Sequence, residues 1–173
     1  MESQEKVLEF LKLNGIPFSY AEHKRVETMA DCAALGLPAP HCKNLFLCNR
    51  AGTQYYLLLI RADKPFVTRE VSRTLGVSRL SFGKDDALLR LLHAHPGCVS
   101  PMGLLFPEAG EVRLLCDEDL LQLPAIAFHP LMDTASLWMD TQVFLHNFLP
   151  LTGHSLTVLP IASHAEECEH ADF

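Results

Sequence analysis

The chain of 173 residues alternates between helical and extended hydrophobic patterns along most of its length. Near the start, apolar residues at helical spacing predict a helix around residues 7–11, which Gly15 can close. Later helices are predicted where a capping residue precedes an amphipathic run, and strands where a short β-prone run lies between turn signals. The remaining predicted helices are 28–36, 68–76, 84–93 and 141–149, and the predicted strands are 16–20, 43–48, 54–61, 112–116, 126–128, 135–139 and 156–159.

Together these elements predict a single α+β domain with a mixed, mostly antiparallel central sheet flanked by helices. The strands on either side of residues 49–52, Asn-Arg-Ala-Gly, have the signature of a hairpin. No internal repeat or low-complexity linker divides the chain, and its length is that of one domain. We place the domain at residues 1–162 and expect the polar, acidic residues 163–173 to form a flexible tail.

Composition excludes several classes of protein. No run of about 18 apolar residues occurs, so no membrane span is expected. The first residues lack the basic and then apolar order of a secretory signal. The six cysteines include no Cys-x-x-Cys pair and no zinc-type spacing. We therefore expect reduced thiols in a cytoplasmic protein.

The charge is unevenly distributed along a chain whose formal net charge is −7. Residues 43–90 contain nine lysines and arginines against four acidic residues, whereas residues 92–173 contain one arginine against eleven acidic residues. A basic middle on an acidic chain is able to bind a polyanion locally. The same charges are equally compatible with a scattered, solvated face, and charge alone leaves both interpretations open.

The first segment with candidate chemistry is residues 41–47, His-Cys-Lys-Asn-Leu-Phe-Leu. A lysine that opens an apolar strand is most often an edge-protecting or snorkelling residue. Alternatively, Lys43 is a fixed cation facing a pocket, and Asn44 offers a donor and an acceptor for a phosphate or a ribose hydroxyl.

The second segment is residues 97–104, Gly-Cys-Val-Ser-Pro-Met-Gly-Leu. It is either an ordinary connection or a backbone that a ligand approaches closely and whose amides hold an oxyanion. Ser100 is a candidate hydroxyl contact but a weak nucleophile, because no G-x-S-x-G elbow surrounds it. Cys98 is better interpreted as a small buried residue than as a nucleophile.

A third candidate is His129, which precedes Pro130 at the end of a predicted strand and is either a turn residue or a proton-transfer group. His164, Cys168 and His170 match no structural zinc spacing. The glycine motifs of nucleotide hydrolysis and dinucleotide binding are missing from the sequence. We therefore expect neither a metal nor a cofactor.

Six groups of short motifs follow one another along the chain, from the first predicted strand to just after the last predicted helix. They are Tyr20-Ala21-Glu22-His23 with Val26-Glu27-Thr28, residues 41–47, Leu75-Gly76 with residues 79–83, residues 97–104, Phe128-His129-Pro130 with Thr134-Ala135-Ser136, and Thr152-Gly153-His154. Their order and spacing resemble the YbaK/prolyl-tRNA synthetase editing-domain family, most closely its free-standing prolyl-tRNA editing proteins. The resemblance covers residues 4–161. Cys42 and Asp133 depart from residues that are usual in the family.

The resemblance implies a trans-editing hydrolase that deacylates mischarged tRNA(Pro), most closely Ala-tRNA(Pro), by attack of water on the aminoacyl ester. The implied partners are the aminoacylated end of tRNA and prolyl-tRNA synthetase, with no cofactor and no membrane. By resemblance, the catalytic residues are Lys43, His129, Gly97 and Ser100, and the substrate-binding residues are Asn44, Arg79, Pro101, Gly103, Thr28 and Asp133. Lys43 would hold the terminal nucleotide, the 97–103 backbone would face the carbonyl, and Arg79 would contact the acceptor stem.

Three alternatives stay open at this point. The first is a deacylase of the same fold that acts on cysteinyl- or seryl-tRNA. The second is a non-catalytic module that binds tRNA or a protein. The third, more remote, is a thiol hydrolase that uses Cys98 as its nucleophile.

Overall fold

The computed structural model describes residues 2–163, and it confirms the mixed α+β class. The α-helices are α1 (Ser3–Leu13), α2 (Met29–Ala34), α3 (Thr68–Leu75), α4 (Asp85–Leu92), α5 (Thr141–Val143) and α6 (Leu149–Thr152). The strands are β1 (Ser19–Glu22), β2 (Cys42–Cys48), β3 (Tyr55–Arg61), β4 (Ser81–Phe82), β5 (Val112–Asp117), β6 (Ala125–Phe128), β7 (Ala135–Asp140) and β8 (Leu156–Leu159). The predicted tail beyond residue 163 lies outside the described residues.

The described strands form two sheets, where one central sheet was expected. Five strands are arranged in the order β4-β2-β3-β5-β8, and three in the order β1-β7-β6. The predicted hairpin pairs β2 with β3 antiparallel, whereas β5 and β8 are added in parallel. The sheets meet at one isolated bridge between His41 and Ala127. Hydrophobic alternation does not specify this split, because it identifies strands without identifying their partners.

Strand β3 lies at the centre of the larger sheet and has apolar residues on both faces. Leu57 and Leu59 pack into the main core, which the helices α1 and α4 also enter. Leu58 and Ile60 point to a smaller apolar layer that lies under α3. All four side chains are fully buried, and each such burial contributes about 1.5–3 kcal/mol. The continuous apolar run of β3 is therefore that of a strand covered on both sides.

Between α4 and β5 the chain forms two 3₁₀ helices, Pro101–Leu105 and Pro107–Glu111, where no element was predicted. Ser100 caps the first by accepting a hydrogen bond from Met102 N. Gly103 lies against α4, and a Cβ there would stand 2.4 Å from Leu92 O, so the close packing requires glycine. A π-helical segment, Phe144–Phe148, joins α5 to α6. None of the helices in residues 2–163 is long and apolar enough to cross a bilayer.

Candidate functional site

A pocket with about 540 Å³ of empty space opens where the two sheets meet. Four parts of the chain form its wall: residues 26–32, which lead into α2; residues 41–44 at the start of β2; the loop before the 3₁₀ helices; and the residue that follows β6. The lining residues are Val26, Glu27, Thr28, Met29, Cys32, His41, Cys42, Asn44, Gly97, Val99 and His129. Four of the predicted site residues, Thr28, Asn44, Gly97 and His129, are among them.

The α2 wall is held by a capping box. Thr28 Oγ1 accepts a hydrogen bond from Asp31 N, and Asp31 Oδ2 accepts bonds from the N–H groups of Glu27 and Thr28. These two bonds lower the pKa of Asp31, because they stabilise its carboxylate. Thr28 therefore shapes the pocket, and its backbone amide is already occupied.

On β2, the side chains of the adjacent residues Lys43 and Asn44 point in opposite directions, because successive side chains of a strand lie on opposite faces. Cys42 and Asn44 line the pocket. Asn44 Nδ2 donates to Cys42 O at 3.1 Å, and Cys42 Sγ donates to Asn44 Oδ1 at 3.6 Å. Lys43 lies outside the lining, and its Nζ donates to the carbonyl oxygen of Lys64. Within residues 2–163 no carboxylate forms an ion pair with Lys43.

The loop that begins at Gly97 supplies backbone to the pocket only through its first residues. Gly97 adopts φ +87°, a region that favours glycine, and lies with Val99 in the wall. In the described part of the chain, the N–H groups of these two residues donate to no protein acceptor. These amides are thus available to a ligand oxygen.

The rest of this loop is packed inside the protein, contrary to the expectation that residues 97–103 as a whole face a substrate. Ser100 is fully buried and caps a 3₁₀ helix, and Pro101 and Gly103 are buried beside it. These three residues therefore support the loop without lining the pocket, because their side chains and close packing are used internally.

A cluster of histidines lies at the base of the pocket. His23 Nε2 and His41 Nε2 both contact Ser136 Oγ, at 2.8 and 2.9 Å. His129 packs beside His41, with ring centroids 5.2 Å apart, and its Nε2 lies 3.9 Å from Cys32 Sγ. His41 and His129 are both buried.

When the three rings are neutral, the hydrogen bonds fix their tautomers. Carbonyl oxygens only accept, so Nδ1–H of His23 donates to Lys24 O and Nδ1–H of His129 donates to Ala135 O. Ser136 has a single proton, which it donates to His23 Nε2, so His41 Nε2–H donates to Ser136 Oγ. Within the described residues, Nδ1 of His41 therefore keeps a lone pair that no protein donor uses, and the only partner of Nε2 of His129 is the Cys32 thiol, with 3.9 Å between Nε2 and Sγ.

Burial favours the uncharged forms of His41, His129 and Cys32. Desolvation, with smaller contributions from His129 and His23, lowers the pKa of His41 to about 4. Desolvation also lowers the pKa of His129, although its bond to Ala135 O acts in the opposite direction. Desolvation and the nearby Asp31 raise the pKa of the Cys32 thiol. Near neutral pH the pocket thus contains two neutral imidazoles and a protonated thiol.

Three other residues considered from the sequence lie outside the pocket lining. Arg79 is exposed in a separate groove that Arg73 also lines. Asp133 binds Arg25, with 2.7 Å between Oδ2 and Nε. Cys98 is buried, and desolvation raises the pKa of its thiol, which argues against a nucleophilic role.

The sequence did not indicate Cys32, His23, His41 or Ser136 as site residues. Three histidines of the cluster share a signal, because each stands at or next to the end of a strand: His23 after β1, His41 before β2 and His129 after β6. Strand ends that meet at a sheet junction bring such residues together, but the junction itself is not visible in the sequence.

The chain is similar to known proteins over most of its length. Residues 23–146 match the profile of a family described as "Aminoacyl-tRNA editing domain". "Prolyl-tRNA editing protein ProX" of Acetoanaerobium sticklandii is 29% identical over 139 residues, which are 79% of this chain and 85% of that protein. "Prolyl-tRNA synthetase associated domain-containing protein 1" of Mus musculus is 30% identical over 127 residues, which are 71% of this chain and 74% of that protein.

The fold is also shared with solved structures. A crystal structure described as a "putative trans-editing enzyme for prolyl tRNA synthetase" superposes with a TM-score of 0.70 at 21% identity. The superposition covers 94% of this chain and 99% of the other. At this identity the likeness establishes the fold.

Proposed function

Because the chain belongs to the aminoacyl-tRNA editing domain family, we propose that it is an aminoacyl-tRNA deacylase that edits mischarged tRNA(Pro) in trans, with Ala-tRNA(Pro) as its substrate. The proposal places it with charged tRNA in the cytoplasm, acting on tRNA that prolyl-tRNA synthetase has mischarged. The 124 residues that match the family profile contain every described wall of the pocket.

One observation carries the proposal: the same pocket presents hydrogen-bond donors and a neutral base. The free N–H groups of Gly97 and Val99 and the amide of Asn44 are donors, and Nε2 of His129 is an acceptor. Hydrolysis of an activated ester needs these two functions, because charge develops on the carbonyl oxygen while water loses a proton. The arrangement supports direct attack by water, since the thiols in the wall are protonated.

The proposed reaction has one bond-forming and one bond-breaking event. Water adds to the carbonyl carbon of the aminoacyl ester, and donors from Gly97, Val99 and Asn44 stabilise the oxyanion. His129 Nε2 positions the attacking water by accepting its hydrogen bond. The bond between the carbonyl carbon and the ribose oxygen then breaks. The proton that the water lost ends on the ribose oxygen, which leaves free amino acid and tRNA.

In this proposal, Lys43 and Arg79 bind the tRNA. Lys43 is adjacent to two pocket residues, its charge is not cancelled by a carboxylate in residues 2–163, and one bond to a carbonyl leaves two of its N–H donors. It is therefore suited to a phosphate of the terminal nucleotide. Arg79 lies on the exposed surface, where the acceptor stem would run.

Alanine is the proposed amino acid because a synthetase pocket for proline also admits smaller amino acids. A pocket built for a larger side chain rejects a smaller one weakly, since one methylene contributes only about 10–200-fold discrimination. A second site that admits the small side chain and excludes the larger one then corrects the error. Cysteine and serine are also small, so they are the competing substrates within the same activity.

A deacylation assay with matched substrates tests the proposal. Purified tRNA(Pro) charged separately with alanine, cysteine, serine and proline is incubated with the protein, and release of amino acid is followed. We expect fast release of alanine and no acceleration for proline. Preferential release of cysteine or serine would change the assigned substrate. Binding of charged tRNA without release of any amino acid would contradict a deacylase.

A further inference from the structure

From the geometry of the histidine cluster we propose that Cys32, His41 and His129 form a binding site for a Zn²⁺-type transition metal, with an open position facing the pocket. One ligand atom from each residue lies within 4.8 Å of the other two. All three residues are buried, and all three line the pocket. This proposal does not depend on the deacylase activity, since it concerns binding of a metal ion alone. An ion bound to His129 Nε2 would take the lone pair that accepts the hydrogen bond of water in the proposed reaction.

The donor set matches the preferences of zinc. Thiolate and imidazole are its usual protein ligands, whereas Mg²⁺ and Ca²⁺ prefer oxygen. Metal–ligand distances of about 2.0–2.3 Å in a tetrahedron place ligand atoms roughly 3.3–3.8 Å apart. Cys32 Sγ and His129 Nε2 are already 3.9 Å apart. The other two separations, each at most 4.8 Å, therefore have to shorten by no more than about 1.5 Å to close the triangle around an ion.

The surrounding hydrogen bonds use one nitrogen of each ring and leave the lone pair of the other nitrogen for a metal. Ala135 O accepts from Nδ1–H of His129, so the lone pair of this ring is on Nε2, next to the Cys32 thiol. Ser136 Oγ, which is itself bonded to His23, accepts from Nε2–H of His41 and so leaves Nδ1 free. Metal-binding histidines almost always have such a partner on the other nitrogen, because it fixes the tautomer and the ring orientation.

The ligands come from three separate parts of the chain. Cys32 is on α2, His41 precedes β2, and His129 follows β6. A spacing rule applied to the sequence therefore misses the site. Three protein ligands and one open position are typical of accessible zinc, whereas structural zinc has four. On binding, the Cys32 thiol loses its proton to the solvent and the metal takes the sulfur lone pair, so one proton is released per ion.

Cobalt titration of the untagged, chelator-treated full chain tests the proposal. Co²⁺ bound to a thiolate gives a sulfur-to-metal charge-transfer band, together with visible bands of tetrahedral geometry. We expect one Co²⁺ per chain, displaced by Zn²⁺ and not by Mg²⁺. Cys32→Ser should abolish the charge-transfer band, and Cys48→Ser, a half-buried cysteine on β2, should keep it.

Two further variants keep the test decisive if Cys32→Ser fails to fold. His129→Gln retains the thiol and removes a ligand. It should weaken Co²⁺ binding by at least about 100-fold, which is more than the usual effect of removing a residue that only hydrogen-bonds to a ligand. Ser136→Ala retains all three ligands and should weaken binding by about 10–100-fold. No charge-transfer band in the wild type, or a band that persists in folded Cys32→Ser, would overturn the site. The latter result would assign binding to other groups, such as Cys168.

Discussion

At the scale of single residues, the pocket depends on how the side chain of Asn44 is held. Its Oδ1 and one Nδ2 proton are used by Cys42, so its orientation is set by its own strand. Among residues 2–163, no acceptor uses the second Nδ2 proton, which a ligand can therefore bind. An amide that is oriented before the substrate arrives stabilises the charge that develops in the transition state. It is effective because no reorganisation is needed during the reaction.

We therefore predict that Asn44→Ala lowers kcat for deacylation of Ala-tRNA(Pro) by about 10²-fold, a typical effect of removing one oxyanion donor. Single-turnover kinetics measures this loss. Asn147→Ala is the matched control, because Asn147 is exposed in the π-helical segment and outside the pocket lining. Equal rates for Asn44→Ala and the control would remove Asn44 from the reaction.

Lys43 should have a different signature, because it is proposed to contact a phosphate outside the aminoacyl pocket. Lys43→Ala is expected to lower kcat/KM about 10–100-fold, the value of a charge-assisted hydrogen bond, mainly through KM. The substitution should also reduce the slope of log K for tRNA binding against log salt concentration by about 1, the contribution of one phosphate contact. Lys43→Arg should keep the wild-type slope. Lys6→Ala, an exposed lysine on α1, is the control. An unchanged salt dependence in Lys43→Ala would contradict the phosphate contact.

At the scale of elements, a buried ion network joins the ends of three strands. Lys64 follows β3, and its Nζ donates to Asp117 at the end of β5 (2.9 Å), to Asp119 (2.6 Å) and to Ile161 O just after β8 (2.8 Å). The side chains of Lys64 and Asp117 are 7% and 0% exposed. Asp117 also accepts a bond from Arg61 N, so its carboxylate is fully committed. The network sits beside the carbonyl that Lys43 binds.

Lys64→Met is predicted to lower the free energy of unfolding by about 3–5 kcal/mol, because it leaves Asp117 as a buried, unpaired carboxylate. Urea denaturation at pH 7 measures this change. Lys6→Met, which removes an exposed charge, should stay within about 0.5 kcal/mol of the wild type. An equally small effect for Lys64→Met would show that the network does not stabilise the fold.

The loss of stability in Lys64→Met should depend on pH in a defined way. Hydrogen bonding and the charge of Lys64 lower the pKa of Asp119 below its ordinary 3.8, so this stabilisation is present above that pH and is lost as the pH falls through the depressed value. Burial opposes the charge of Lys64, but its bonds to Asp119 and Asp117 raise its pKa above 10.5, so stabilisation is lost only at still higher pH. The difference between wild type and Lys64→Met should therefore be largest between about pH 4 and 10.

At the scale of the whole molecule, the pocket exists because two sheets meet at one point. His41 pairs with Ala127 in an isolated bridge, and Ala127 N donates to Pro40 O at 2.9 Å. This contact brings the start of β2 beside the end of β6, and with them His41 and His129. The site is therefore a property of the complete fold, and no single motif contains it.

The extent of that fold can be tested by truncation. A chain ending at residue 163 should unfold at the same temperature as the full chain, because the described contacts of β8 and of Lys64 are complete at Ile161. A chain ending at residue 155 should be strongly destabilised, since it lacks β8 and one acceptor of the Lys64 network. Thermal unfolding by circular dichroism compares the two. Marked instability of the 1–163 chain would contradict a domain ending near residue 162.

Local pattern was sufficient for most of the elements and for part of the site. The helices 68–76 and 84–93 and the hairpin strands match α3, α4, β2 and β3 closely, because amphipathic spacing and turn residues act within a few residues. The same local reasoning placed Gly97 and Asn44 in motifs that do line the pocket. It missed the 3₁₀ helices of residues 101–111, since their short, proline-led turns have no periodic signal.

The sequence by itself determined the α+β class, the family resemblance and the segments that form the pocket, because these follow from hydrophobic periodicity and from motif order. Only the tertiary structure decided which residues of those segments face the pocket. Strand alternation turned Asn44 inward and Lys43 away, and tight packing against Leu92 placed Gly103 in the core. The cluster of Cys32, His41 and His129 depends on the meeting of two sheets, and contacts so distant along the chain leave no local signal in it.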